Sequence, residues 1–346
     1  MALKKRERRA PVGARNEKLF PEVTLEQAID FVINAKKVEG LRERTLKDYA
    51  KHYGYFVAWL NEFHPEVTLI EHIDVSIIRD HVAYMKYDRV RYEGHKHIPT
   101  EGQRVGLSDT TVNIRLRTLK AIFNQLDRDE LIEVNPVSKV KLLRQDVDLT
   151  NCLTDEEIAA ILAQPNRRDF VGFRDYVAIM LMLDSGLRVS EMLGLRIGDV
   201  DFQTRFITLQ GEANKNRKPR MVPFSGAVAK LLLQLIDENR QHFTTDRLFL
   251  SCYGDPVSPN QFNKRLKYHG EKAGVEGKKM TAHVYRHTWA RAMVLNGADP
   301  FTVQKMGGWS DIRTMRRYIQ MDMRDVRRSH DEFSPTGRFV KRRTEK

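Results

Sequence analysis

Apolar residues recur at helical spacing along most of this chain, and the period gives way to strand-like alternation in one place, between Phe206 and Phe224. That pattern restricts the chain to a mostly α architecture with a small antiparallel β-sheet. Several helix starts are marked. Thr24 with Gln27, Thr45 with Asp48 and Thr154 with Glu157 have the spacing of a capping box, each ahead of an amphipathic stretch. After the second, Leu46, Tyr49, Tyr53, Phe56, Val57 and Leu60 form one stripe, and a third helix is expected from Asp74 to about Met85. Residues 86–107, with three glycines and many charges, read as a loop. Ser108 opens a fourth helix with Val112, Leu116, Leu119, Phe123 and Leu126 on one stripe, and Arg115, Arg117 and Lys120 towards its other side.

Asn135-Pro136 closes this helical unit, and residues 137–150 (VSKVKLLRQDVDLT) read as an extended linker. Beyond it, a buried helix from about Phe173 to Asp184 is expected to stop at Gly186 in a left-handed cap. Phe206–Gln210 and Arg220–Phe224 read as strands joined by a turn that carries Lys215, Arg217 and Lys218. Helices follow near 226–239, 260–273 and Tyr285–Asn296, and short helices carry the chain from Thr302 to Tyr318.

With 346 residues and 41% hydrophobic content, the chain can bury two cores. Its formal net charge is +13, and over half of the excess sits in residues 1–20 (net +5) and 324–346 (net +4). Such a balance favours a polyanionic partner, nucleic acid before membrane, although a solvated basic surface has the same composition. The two cysteines, Cys152 and Cys252, form no CxxC pair, which argues against a disulfide scaffold or a thiolate metal site and fits a reducing, cytoplasmic setting. The basic N-terminus is followed by no apolar h-region, and the longest apolar run, Tyr176–Leu183, is too short to span a bilayer.

The second half of the chain holds residues suited to one chemical task. Arg188 follows the helix-stopping glycine, with Glu191 three residues on and therefore on the same side. A guanidinium fork matches phosphate oxygens, and a carboxylate beside it can hold the fork in place. Alone, this pair reads as an ordinary surface ion pair. His283 and Arg286 are also three apart at a helix mouth, where an anion is favoured, and the adjacent His287 points elsewhere, to support the site or to pack. Lys215 lies in a basic turn that is either a solvated hairpin or the source of a lysine able to protonate a departing oxygen. Tyr318 follows Arg316 and Arg317. A tyrosine hydroxyl, with a pKa of about 10, becomes a competent nucleophile when cations lower that value and a pre-bound phosphate fixes the line of attack. Trp309 offers one N–H donor to a phosphate oxygen, or packs as a core aromatic. No HExxH or carboxylate cluster accompanies these residues, so no metal is expected.

Together, in this order, the motifs resemble those of the tyrosine recombinase, or phage integrase, family. SGLRVSEMLGL resembles the family's first arginine box and nominates Arg188 with Glu191. NKNRKPRMVPF resembles the hairpin with the family's lysine, which nominates Lys215, with Lys218 as the competing assignment. HVYRHTWA is similar to the His-x-x-Arg box of His283 and Arg286, with His287 supporting. GGWSDIRTMRRY resembles the closing box, in which Trp309 precedes the nucleophile Tyr318 by nine residues; Gly307 departs from it, since a larger apolar residue is common there.

The resemblance implies a two-domain DNA clamp. Its parts would be a basic arm (1–20), a helical, SAM-like core-binding domain (21–136), the linker (137–150), an α+β catalytic domain (151–325) and a basic tail (326–346). It further implies strand cleavage by Tyr318 to a 3′-phosphotyrosyl bond, rejoining through a Holliday junction, and neither metal nor ATP nor any other cofactor. The implied partners are duplex DNA sites with inverted core repeats, three further copies in a homo-tetramer, and an accessory directionality factor, at the nucleoid and not at a membrane. Arg115, Arg117, Lys120, Arg217, Lys218 and Arg220 are the nominated DNA contacts. A type IB topoisomerase shares the chemistry, and a DNA-binding regulator with a decayed site is the rival of another class; the latter is disfavoured because every catalytic position is filled.

Overall fold

A computed structural model of the chain describes residues 20–90, 104–145, 152–211, 219–312 and 323–338. The basic arm expected at residues 1–20 lies outside the described residues except for Phe20, as do Lys215, Arg217, Lys218 and Tyr318. The chain divides between residues 147 and 148 into two compact units. Among the described residues, the architecture is mostly helical with one three-stranded antiparallel sheet, and no helix is long and apolar enough to cross a membrane.

The first unit packs α1 (Leu25–Val38), α2 (Glu43–Phe63), α3 (Val75–Ala83) and α4 (Asp109–Arg128). The Thr24–Gln27 capping box forms as the spacing requires, and Asp74 and Ser108 cap α3 and α4 through their side-chain oxygens. Phe56, Leu60, Ile78, Leu116, Leu119, Phe123 and Leu126 meet in the core. The start of α2 differs from expectation. The helix begins ahead of Thr45 with Arg42 as N-cap and no side-chain cap bond. Gly40, at φ 77°, turns the chain directly after α1. The Glu43–Lys47 ion pair (2.8 Å) then spans the first turn of α2 in place of a hydroxyl cap.

The segment read as a loop from Lys86 is partly ordered by the helix before it, because α3 widens into a π turn over Tyr84–Asp88. Val90 and Val105 then bridge in antiparallel fashion, with residues 91–103 outside the described residues. The linker reading of residues 137–150 also needs correction at its start. Val137 and Val140 are buried in the first unit's core, and Lys120 Nζ donates to the Val137 carbonyl (2.7 Å). Asn113 mimics a peptide group, donating to Leu143 O (2.9 Å) and accepting from Leu143 N (2.8 Å). Two valines three residues apart therefore anchor the start of this stretch to the first unit's core.

The second unit is built around α6 (Phe170–Ser185), whose buried positions run nearly all round the helix. It follows α5 (Asp155–Leu162), which the Thr154–Glu157 capping box opens. Asp169 caps α6 by accepting from Gly172 N (2.7 Å), so the helix starts at Phe170, three residues before the start expected from periodicity. Gly186 ends α6 at φ 61°, and a Cβ there would lie 2.1 Å from the Trp289 ring, so conformation and space both demand glycine. Next come α7 (Val189–Leu193), then β1 (Val200–Asp201), β2 (Phe206–Leu209) and β3 (Arg220–Pro223), hydrogen-bonded in that order. Strand β1 has two residues, too few to show a period, which is why the sequence shows only the other two strands. In the β2–β3 register Ile207 faces Val222 and Leu209 faces Arg220, so the basic turn leaves a sheet whose apolar face lies on the core. Then follow α8 (Gly226–His242), α9 (Pro259–Lys272), α10 (Ala282–Leu295), α11 (Pro300–Gly307) and a helix over Met323–Phe333.

Candidate active site

Arg188 is the N-cap of α7 and has an extended backbone, because Gly186 turns the chain and Leu187 buries itself beside it. Its Nη1 donates to Glu191 Oε1 (2.7 Å), its backbone N–H to Glu191 Oε2 (2.9 Å) and its Nη2 to the carbonyl of Gly308 (2.8 Å). The i, i+3 pairing read from the sequence is present, but it is no ordinary surface pair, since the Glu191 side chain is 1% exposed. Burial pushes its carboxyl up, yet hydrogen bonds and charge from Arg220 and Arg188 outweigh that and hold it below the usual range.

Arg220, at the head of β3 and nominated as a DNA contact, has its guanidinium engaged within the protein. Its Nη1 and Nη2 grip the two oxygens of Glu191 (3.0 and 2.7 Å), and its Nε donates to Met306 O (3.1 Å). With its side chain 11% exposed, it is turned inward onto Glu191 and the end of α11. Arg115 is similarly engaged, its guanidinium lying over the Tyr55 ring (4.2 Å to the ring centroid), and Lys120 is held by Val137 O. Arg117 is exposed.

Arg286 comes from α10 and is buried. Its Nη1 donates to the carbonyl of Gly186, its Nη2 to Gly307 O (2.5 Å), and its guanidinium lies 4.1 Å from the centre of the Trp309 ring. Trp309 stacks on Trp289 in turn (6.1 Å, 25°), and Trp289 Nε1 donates to Asp184 O (3.1 Å). Thus Arg220, Arg286 and Arg188 contact three successive carbonyls, those of Met306, Gly307 and Gly308, at the end of α11. That is the negative end of the helix dipole. His283 is exposed one turn before Arg286, and its ring lies over that of His287 (6.2 Å, 23°). Burial, then the neighbouring His283 and Arg286, push His287 down to about 4, so it is neutral at pH 7.

Arg188, Glu191, Arg286 and Trp309 are therefore brought together, with His283 and His287 on the same helix as Arg286. Lys215 lies in the turn between the paired residues Leu209 and Arg220, and Tyr318 beyond Ile312; both positions fall outside the described residues. Sequence reasoning missed Trp289, Arg220's inward role and the carbonyl ladder at 306–308. The Gly-Gly pair was the available signal. At Gly307 an added Cβ would lie 2.1 Å from the Trp309 ring, so the absence of a larger residue there lets the indole fold back over α11. Gly307→Ala should cost about 1–3 kcal/mol by overpacking and should displace the indole. Denaturant unfolding together with tryptophan emission checks this, and an unchanged transition and spectrum would show that the added methyl is accommodated with the indole left in place.

Comparison with known proteins gives a consistent picture. The Phage integrase family model matches residues 151–325. The tyrosine recombinase XerD of Staphylococcus aureus is 26% identical over 318 residues, covering 91% of this chain and 99% of its own. XerD of Staphylococcus saprophyticus is 30% identical over 224 residues, covering 64% and 75%. In fold, the chain is similar to the Tn1549 transposon integrase in complex with a circular intermediate DNA, with a TM-score of 0.67 at 21% identity over 90% of this chain and 99% of that one.

Proposed function

This chain belongs to the phage integrase family, and from that premise we propose that it cuts and rejoins duplex DNA at specific sites through a covalent bond to Tyr318. The observation that carries this reading is the convergence of the Arg188 and Arg286 guanidinium groups on adjacent carbonyls beside the Trp309 indole. Two forks from separate elements, fixed within one small region, suit the non-bridging oxygens of a single phosphodiester. In this reading they share the charge that builds up as phosphorus becomes pentavalent, with Trp309 and His283 as further donors. Glu191 holds Arg188 in place, and the neutral His287 packs against the His283 ring. The Tyr318 oxygen bonds to phosphorus, the bond to the 5′-oxygen breaks, and Lys215 protonates that oxygen. The resulting 5′-hydroxyl of one duplex then attacks the phosphotyrosine of another, which conserves the phosphoester bond and requires neither metal nor ATP.

Residues 21–136 serve in this reading as the core-binding domain and 151–325 as the catalytic domain, closing on DNA with Arg117, Arg217 and Lys218 among the phosphate contacts. The working assembly is a tetramer on two duplexes with inverted core repeats, passing through a Holliday junction. Its task is the integration, excision or resolution of a mobile element at the nucleoid, with an accessory factor to set direction. To test the chemistry, the protein is incubated with its own flanking genomic DNA in EDTA, quenched with detergent and run on a denaturing gel. A protein–DNA adduct is expected. Tight, salt-sensitive binding without adduct would replace recombination by a purely DNA-binding role.

Lys215→Ala should slow cleavage by ~10²–10⁴-fold while leaving DNA affinity nearly unchanged, as loss of a general acid does. A substrate with sulfur in place of the 5′-bridging oxygen, a better leaving group, should recover the rate. Rescue in Lys218→Ala, with none in Lys215→Ala, would reassign the acid to Lys218.

A further inference from the structure

We infer that Arg220 is a positioning residue for strand cleavage: it binds Glu191 and the end of α11 at once, and so fixes Arg188 relative to the root of the lysine turn. The inference rests on the strand-cleavage reading above and reverses the role that charge alone suggested for this side chain.

Glu191 is the centre of the arrangement. A carboxylate offers about four acceptor sites. Oε1 receives Arg188 Nη1 and Arg220 Nη1, while Oε2 receives the Arg188 backbone N–H and Arg220 Nη2. Arg220 thus supplies half of the donors that hold a carboxylate whose other half orients Arg188. Without Arg220 the carboxylate would be tethered from one side only, and Arg188 would be held by a group free to rock.

The other end of the guanidinium extends the frame. Its Nε reaches Met306 O, one residue before the carbonyl taken by Arg286 and two before that taken by Arg188. Gly308 makes room for it: the residue sits at φ 65°, and a Cβ there would come 2.9 Å from the Arg220 guanidinium carbon. Arg220 itself opens β3 and pairs with Leu209 across the sheet, so the chain between these two residues, with Lys215 and Lys218, starts and ends at this anchor. One side chain therefore ties together the element that bears Arg188, the strand that leads from the lysine turn, and the segment that leads to Trp309 and Tyr318.

A purely structural ion pair would affect folding alone, and a DNA contact would affect affinity alone. A positioning residue affects the rate of cleavage in bound DNA and does so through Glu191. The test uses the full chain, labelled duplex from the flanking genomic DNA, and the variants Arg220→Gln, Arg220→Lys, Glu191→Gln and the Arg220→Gln/Glu191→Gln pair. The readouts are DNA affinity with its salt slope, melting temperature, and the single-turnover rate of adduct formation from neutral to acidic pH.

Arg220→Gln should bind DNA with unchanged salt slope and form adduct ~10²-fold more slowly, the scale expected of a small misplacement of a reacting group. Its rate should also fall off at higher pH than that of the parent. Loss of Arg220 removes a cation that holds the Glu191 carboxyl down, and the protonated acid releases Arg188. Arg220→Lys keeps the charge and should suppress this acid limb while recovering only part of the rate, because an ammonium cannot span both oxygens. The double variant should be no slower than the slower single one, as for two members of one unit.

A salt slope lowered by about one, with normal cleavage of bound DNA, would return Arg220 to the phosphate contacts and overturn the inference. A rate loss that is equal at every pH and tracks melting would reduce it to a structural pair. Adduct from the parent and undiminished adduct from Arg220→Gln would overturn this inference alone. No adduct from the parent would overturn the strand-cleavage reading and this inference with it.

Discussion

Tyr318→Phe is expected to bind DNA like the parent chain and to form no covalent adduct. The substitution removes one oxygen and leaves the ring, so whatever packing Tyr318 makes is largely retained. Affinity for duplex DNA comes mainly from cations that displace counterions from phosphates, and a neutral phenol adds little to that. The chemistry has no such reserve. If Tyr318 is the nucleophile, its oxygen is the atom that bonds to phosphorus, and the arginines can stabilise a transition state only if something attacks. The expected result is therefore a complete loss of the detergent-stable band with a superimposable binding curve. Tyr285, in the His-x-x-Arg box, is a poor substitute. It is 0% exposed, and burial pushes its hydroxyl well above the ordinary tyrosine value. A band that persists in Tyr318→Phe would move the nucleophile to a tyrosine other than these two.

Glu191→Ala should produce the largest loss of stability among single changes at this site. It leaves two guanidinium groups, with side-chain exposures of 20% and 11%, without the carboxylate that balances them. Removing one partner of a buried ion pair costs about 3–5 kcal/mol, because the remaining charge keeps its desolvation penalty. For a unit of this size that corresponds to a fall on the order of 10 °C in melting temperature. Cleavage should fall with it, since Arg188 loses the bonds of Nη1 and of the backbone N–H and keeps that of Nη2 to Gly308 O. The pH dependence has a definite sign. The folded carboxyl titrates below its ordinary value of about 4.3, so its stabilisation is complete above that value and is lost as the pH falls through the lower, folded one. Glu191→Gln should abolish that acid-side loss. A melting temperature for Glu191→Ala within about a degree of the parent would show that water reaches the two arginines and that the buried pair contributes little.

The site was legible in the sequence wherever its geometry is local. Arg188 with Glu191 and His283 with Arg286 are each three apart on a helical turn, and three residues on a helix face one side whatever surrounds them. The caps of α1 and α5 were readable for the same reason, as was the turn at Gly186. The α2 start was misread because a Thr-x-x-Asp is only one of several ways to open a helix. There, the turn at Gly40 and the Glu43–Lys47 pair decided it.

What the sequence determined by itself was the mostly helical plan, the one strand pair around the basic turn, and the local Arg188–Glu191 pairing. The tertiary structure alone decided which cation faces what. Arg115, Lys120 and Arg220 have the composition of DNA contacts, yet Tyr55, the Val137 carbonyl and Glu191 take them inward. A guanidinium or ammonium group is satisfied by any carbonyl, carboxylate or ring that lies within reach. Reach is set by the packing of distant segments, and no local spacing records it.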